Sequence, residues 1–312
     1  MARAARTPAW MALACAALAL GFIACKSSGP GADAPPDRSV TPTVSEIAAS
    51  WNARVARLDR FWARTVVTMR YLDADGDEKS AQGEGHLQRL DWYNVAVSVG
   101  KLGETYFWFG ADRDRYWFFD LSESDRRRVV YGRHDELTRA KGQLLSIPVP
   151  PRQYMRFAGL SAFPTRIDGA SVKRIARDRL EVSFTDRAGD WIYIIDERTF
   201  YPISITSIDD NGDPEVRSEL SDYRTVRIEN PGSSIIQAPG RIVIEHVPSA
   251  TSITITIDGQ MIDGRRANKP KPGAFDFEAL FDAFGPIDEA LALDEIDDLE
   301  TLEMLIAPEE DR

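Results

Sequence analysis

Cysteine is almost absent: the 312 residues hold two, Cys15 and Cys25, both near the start. The remainder of the chain therefore has no internal disulfide and no cysteine-ligated metal site. Histidine is just as sparse, with only His86, His134 and His246, at spacings that make no metal pair. There is no H-E-x-x-H, no G-x-S-x-G, no phosphate-binding loop and no dinucleotide fingerprint. These gaps predict a protein that is not an enzyme, with no catalytic residue, no cofactor and no metal. Basic charge is also short. The net charge is -11, and without a basic face nucleic acid is excluded as a partner. The excess is local: from Asp276 onward 14 Asp and Glu accompany a single Arg, whereas residues 25–275 are net neutral. No run reaches the ~20 apolar residues of a membrane-spanning helix.

What is present begins with Arg3 and Arg6, followed by an Ala/Leu-rich stretch from Pro8 to Ala24. This pattern predicts an export signal over residues 1–24. It resembles the bacterial lipoprotein type, in which Cys25 is lipidated and becomes the first mature residue. Phe22 stands where that motif prefers Leu. A plain signal peptide and a membrane anchor are the alternatives. Residues 25–44 hold Pro30, Pro35, Pro36 and Pro42 and almost no large apolar side chain. They predict an extended tether, because such a composition cannot bury a core.

The folded body is expected over 45–277. Ile47, Trp51, Val55, Leu58 and Trp62 recur at helical spacing behind a candidate cap, Ser45. Six strands follow: Thr65–Leu72, Lys79–Leu90, Trp92–Val99, Glu104–Gly110, Tyr116–Leu121 and Arg127–Tyr131. Short polar turns between them predict an antiparallel meander. A helical insertion is expected between His134 and Phe163, and then about seven more strands to Asp258. Asn211-Gly212 is a hairpin turn signal. Asp73, Asp75 and Asp77 have calcium-loop spacing, but Glu78 replaces the glycine that such a loop needs and its flanks read as strands. A turn is the better reading.

Aromatics crowd three consecutive strands, in Trp92-Tyr93, Tyr106-Phe107-Trp108-Phe109 and Tyr116-Trp117-Phe118-Phe119. With the stretches Gly83-Glu84-Gly85-His86-Leu87 and Gly240-Arg241-Ile242-Val243-Ile244-Glu245-His246, this order of elements resembles the bacterial outer-membrane lipoprotein carrier and receptor superfamily (LolA/LolB-like). The resemblance implies an α+β, mainly antiparallel β, fold: an incomplete half β-barrel of about 11–13 strands, covered by the N-terminal helix and the helical insertion. It implies a lipid-anchored envelope protein whose apolar interior holds lipid or lipoprotein acyl chains, with the membrane reached through Cys25. Candidate lining residues are Val95, Val97, Phe107, Phe109, Trp117 and Phe119. Leu102, in the turn Gly100-Lys101-Leu102-Gly103, resembles the membrane-contacting Leu of the receptor branch; folding back onto its own sheet is the other reading. Lys26 after Cys25 favours the outer membrane, facing the periplasm. A structural or regulatory lipoprotein using the fold as a protein-interaction platform is the rival.

Residues 278–312 depart from that pattern. Ile287, Leu291, Ile296, Leu299, Leu302 and Ile306 lie three to five apart among Asp and Glu, which predicts an acidic amphipathic helix. Packing on its own domain and docking to a protein partner both remain open for it.

Overall fold

The computed structural model describes residues 40–296 apart from 73–75, 125, 143–144, 146–148, 150, 228–235 and 264–268. The export signal, Cys25 and nearly all of the tether lie outside the described residues.

The cap of the first helix is Thr43, two residues earlier than Ser45. The Thr43 hydroxyl oxygen accepts from the Glu46 backbone N–H, and the Glu46 carboxylate accepts from the Thr43 N–H at 2.7 Å. This reciprocal capping box needs an acid three residues on. Thr43 has one, whereas Ser45 would find Ala48 there. Helix α1 (Val44–Val55) buries Ile47, Trp51 and Val55, and a 3-10 turn then buries Leu58. Trp62, expected on the same stripe, belongs to the following strand.

The meander comprises β1 (Phe61–Leu72), β2 (Glu78–Arg89), β3 (Val95–Lys101), β4 (Glu104–Ala111), β5 (Arg115–Asp120) and β6 (Arg128–Arg133). Short helices α2 (Arg139–Gly142) and α3 (Pro151–Phe157) interrupt it. The second run is β7 (Asp168–Ala176), β8 (Arg179–Asp186), β9 (Gly189–Asp196), β10 (Pro202–Ile208), β11 (Pro214–Ser221) and β12 (Arg224–Arg227). It continues as β13 (Ile236–Ala238), β14 (Arg241–His246) and β15 (Thr251–Asp263). Helix α4 (Phe277–Phe284) and strand β16 (Glu289–Ala292) close the described chain.

These strands form one large, mainly antiparallel sheet that is open, with β16 and β7 at its edges and β1–β15 pairing joining the two runs. The described residues give 16 strands rather than 11–13. The expected strand over Val216–Val226 is two, because Asp222 breaks it at a φ of 53°. Strands β13 and β16 span three and four residues, too short for a period to register.

One face of the sheet carries a continuous core that includes Val67, Val97, Phe109, Phe118, Tyr193, Ile205 and Ile255, with α1 and α3 packed into it. A smaller cluster lies on the opposite face of β5 and β6, where Trp117, Phe119 and Val129 meet Phe277 and Leu280 of α4. That is why β5 reads as apolar on both faces: each side is covered. Gly110 belongs to this second face. A Cβ there would stand 2.2 Å from Trp117 Nε1, so the indole lies directly on glycine backbone.

The long acidic helix expected after Pro286 is not continuous. Ala290, Leu291 and Ala292 pair in parallel with Val129, Val130 and Tyr131 of β6. Leu293 and Ile296 then enter the main core. Spacings of three to five also fit a short strand plus a turn, and the free β6 edge supplies the hydrogen bonds that select it. The chain thus packs on its own domain as far as Ile296; Leu299, Leu302 and Ile306 lie outside the described residues.

Candidate functional site

Directly opposite residues of an antiparallel pair share a face, and this sorts the six expected lining positions. Val97 stands opposite Phe109 and Val99 opposite Phe107, while Phe109 stands opposite Phe118. Val95, Val97, Phe107 and Phe109 therefore point to the main core. Trp117 stands opposite Gly110 and Phe119 opposite Trp108. Both are on the other face under α4, so they do not line the same interior as the other four.

Val95, Val97 and Phe109 are covered by Tyr154 and Met155 of α3, which leave about 10 Å³ between them. Nearer the Leu102 end of the sheet the cover stops. There Val67, Met69, Val99, Phe107, Phe109 and Ile253 bound an apolar cleft with about 50 Å³ of free space.

Beside the burial of Tyr154, Met155 and Phe157 in the core, polar contacts tie down α3 and the residues that follow it. The Arg89 guanidinium donates to the Leu160 carbonyl at 2.5 Å and to the Asp91 carbonyl at 2.9 Å. Arg54 donates to the Gly159 carbonyl at 3.0 Å, and Trp51 Nε1 to the Ser161 carbonyl at 2.8 Å. Burial pushes the Arg89 pKa down to about 10 and lowers that of Arg54. Arg156, on α3 itself, donates to the Tyr193 hydroxyl at 2.6 Å and pairs with Asp186 at 2.8 Å. Its guanidinium also lies 3.4 Å above the Trp191 ring. Burial raises the Tyr193 pKa to about 12, against the opposing pull of Arg156. Sequence reasoning missed these arginines. Arg54, one position before Val55 within the α1 turn that packs inward, was the detectable one.

Leu102 is 96% exposed, which excludes its folding back onto the sheet. It and Gly103 form the β3–β4 turn with φ of 55° and 89°, the two positive values of a type I′ hairpin. Asn or Gly normally fills that first position, and a left-handed conformation costs an ordinary residue about 1–2 kcal/mol. An exposed apolar side chain in a strained turn is a pointer to function.

The histidines sit in local contacts. His86 stacks on Trp62 with ring centroids 4.9 Å apart, and His246 Nδ1 meets the Ser249 hydroxyl at 2.8 Å. His134 Nε2 donates to the Asp112 carbonyl at 3.3 Å. Burial, with Arg152 adding to it, pushes the His134 pKa down to about 4. An unfolded histidine titrates near ~6.5. Between those values the unfolded chain takes up a proton that the folded chain refuses, so stability falls as pH drops through this window. Melting curves from pH 7 to 4 should lose that component in His134→Gln; an unaltered pH dependence would clear His134 of the role.

Among the described residues no group of three His, Cys, Asp or Glu could hold a metal. In the Asn211-Gly212 hairpin, Asp209 Oδ1 accepts from the Asn211 and Asp213 N–H groups at 3.0 and 2.8 Å, as an Asx turn does. The Asp73 and Asp75 positions lie outside the described residues. No described helix is long and apolar enough to cross a membrane.

No family model and no curated protein matches the sequence. Solved structures do match. A DUF1329 family protein from Desulfovibrio piger aligns with a TM-score of 0.50 at 9% identity, covering 77% of this chain and 100% of that one. A domain described for outer membrane lipoprotein sorting, from Vibrio parahaemolyticus, aligns at 0.47 and 12% identity, covering 75% and 97%. A LolA superfamily protein from Nitrosomonas europaea aligns at 0.44 and 14% identity, covering 71% and 93%. At these identities the likeness is one of fold.

Proposed function

We propose that this chain is a lipid-anchored envelope protein whose sheet curls as a half-barrel and takes up an acyl chain of a lipid or lipoprotein. A part in lipoprotein localisation would follow from that. The observation carrying the reading is the apolar cleft beside Phe107 and Phe109, which opens on the inner face next to the part of the sheet that α3 covers. Its free space of about 50 Å³ falls far short of the ~300–1,000 Å³ of ordinary ligand pockets. Uptake therefore requires the cleft to widen, and α3 beside it is the element that would move, releasing the Arg156 contacts and the burial of Tyr154, Met155 and Phe157 while Arg54 and Arg89 hold the residues after it.

The test is an environment-sensitive fluorescent fatty acid. The wild type should bind it, and Phe107→Asp should lower affinity at least tenfold, since Phe107 borders the open part of the cleft without being fully buried. The filled interior also favours a second reading, an interaction platform that binds no lipid. Absence of uptake by the wild type would select that one.

Attachment to the membrane rests on Cys25, outside the described residues, and on Leu102. Cys25→Ser should move the protein to the soluble fraction, since stable anchoring takes two or more acyl chains. In that released form Leu102→Glu should weaken liposome binding severalfold and leave the melting temperature within about 1 °C, because an exposed substitution changes stability by under ~0.5 kcal/mol. Equal liposome binding with and without Leu102 would remove it from the membrane contact. Placement in the outer membrane, facing the periplasm, follows the Lys26 argument.

A further inference from the structure

The hairpin that carries Leu102 also closes a groove on the outer face of the sheet. Leu87, Val97 and Val99 face the main core. By alternation along each strand, His86 and Ser98, which stand opposite each other, face outward, as does Arg64 opposite His86. One row nearer Leu102, Glu84 stands opposite Gly100 and Gly100 opposite Thr105. Gly100 leaves the middle of this row without a side chain. Only glycine fits there, because a Cβ would stand 2.1 Å from the Glu104 carbonyl oxygen. With the small Ser98 next along the strand, the gap becomes a trough of about 250 Å³ between Arg64 and His86 at one end and the turn residues 101–104 at the other.

Both signs of charge border this trough. Arg64 and Lys101 supply two cations, and Glu84 and Glu104 two carboxylates. Arg64 Nη2 lies 3.8 Å from Glu84 and 3.6 Å from Asp258, too far for either carboxylate to take up its N–H donors in a hydrogen bond. Exposed pairs of this kind hold little energy, so a ligand displaces them at small cost. Burial, with Lys269 and Arg64 adding to it, keeps the His86 pKa below the usual histidine value; at neutral pH its ring offers hydrogen bonds without charge. Such a trough suits neither a bare anion nor a bare cation. It suits a ligand that carries a phosphate and an ammonium together.

The position of the trough indicates where such a ligand comes from. Its two rows lie two and four residues behind the exposed Leu102, about 7 and 14 Å along an extended strand. The headgroup layer on each side of a bilayer is roughly 5–8 Å deep. With Leu102 at the edge of the acyl layer, the trough stands among headgroups.

We propose that the trough binds the headgroup of an ethanolamine phospholipid, with its phosphate on Arg64 and Lys101 and its ammonium on Glu84 and Glu104. A primary ammonium donates N–H bonds to carboxylates, whereas the quaternary nitrogen of choline has none to donate. The proposal rests on the reading of Leu102 as a membrane contact and adds the class of lipid which that contact selects.

The full chain released by Cys25→Ser tests this with phosphatidylcholine vesicles made with and without phosphatidylethanolamine. The mixed vesicles should bind at least fivefold more tightly. Arg64→Gln with Glu84→Gln, both at exposed side chains, should bring the two kinds of vesicle to equal affinity. So should Thr105→Trp, which fills the trough and keeps its charges. Soluble glycerophosphoethanolamine separates this proposal from the reading of Leu102. It should shift the NMR signals of residues 98–105 in Leu102→Glu as it does in the parent protein, even where that variant no longer holds vesicles. Equal binding of the parent protein to both kinds of vesicle overturns the proposal. So does tighter binding to phosphatidylglycerol than to phosphatidylethanolamine vesicles, or the absence of any response to glycerophosphoethanolamine.

Discussion

Trp51→Ala should lower stability by about 3–5 kcal/mol, the range for deleting a fully buried Trp, and melting temperature by roughly 6–20 °C at this chain size. Trp51 is 1% exposed and joins parts of the molecule that are far apart in sequence. Its ring lies 5.8 Å from Phe163 and 5.5 Å from Tyr193, and its Nε1 donates to the Ser161 carbonyl. α1 therefore holds the chain after α3 against β9 through this side chain together with Arg54 and Asn52, whose Oδ1 accepts from the Phe163 N–H at 2.7 Å. Trp51→Phe keeps most of the apolar volume but orphans the Ser161 carbonyl, so it should cost less than Trp51→Ala. Thermal unfolding of the three proteins checks the order, and a Trp51→Ala loss below about 1 kcal/mol would mean that α1 does not clamp this region.

Trp51 also illustrates what the sequence made legible. Its spacing to Ile47 and Val55 marks the buried face of α1, and strands as regular as Ile253–Ile257 declare themselves by alternation. The meander and the two runs of strands followed from such periods. The site was only half legible, for a physical reason. Phe107, Phe109, Trp117 and Phe119 share parity in number, yet strand pairing sets Phe109 against Phe118 and Trp117 against Gly110. Nothing in two strands that are apolar on both faces reveals that shift; it depends on the turn at Asp112–Arg115, whose length fixes the register. The C-terminal strand was hidden differently. Leu291 fits a helix or a short strand equally, and only the unpaired edge of β6 decides between them.

The α3 latch leads to the other large effect. The Arg156 and Asp186 side chains are only 14% and 10% exposed, and Asp186 also accepts from Trp191 Nε1 at 3.1 Å and the Ala188 N–H at 2.8 Å. Asp186→Ala leaves a guanidinium without its carboxylate among Phe184, Trp191 and Tyr193. Removing one member of a buried pair costs about 3–5 kcal/mol. The double variant Arg156→Met with Asp186→Leu should recover most of that, because apolar replacement of a whole buried pair is often neutral. Uptake separates the latch from mere stability. If α3 is the gate, both variants lose the tie between α3 and β8, so both should admit the fluorescent fatty acid severalfold faster than wild type, although only Asp186→Ala is destabilised. Stopped-flow uptake beside chemical denaturation measures the two effects on the same samples. Faster uptake confined to the destabilised variant would attribute it to general loosening. Faster uptake in the restabilised double variant would point to release of α3, since the residues that line the cleft are unchanged.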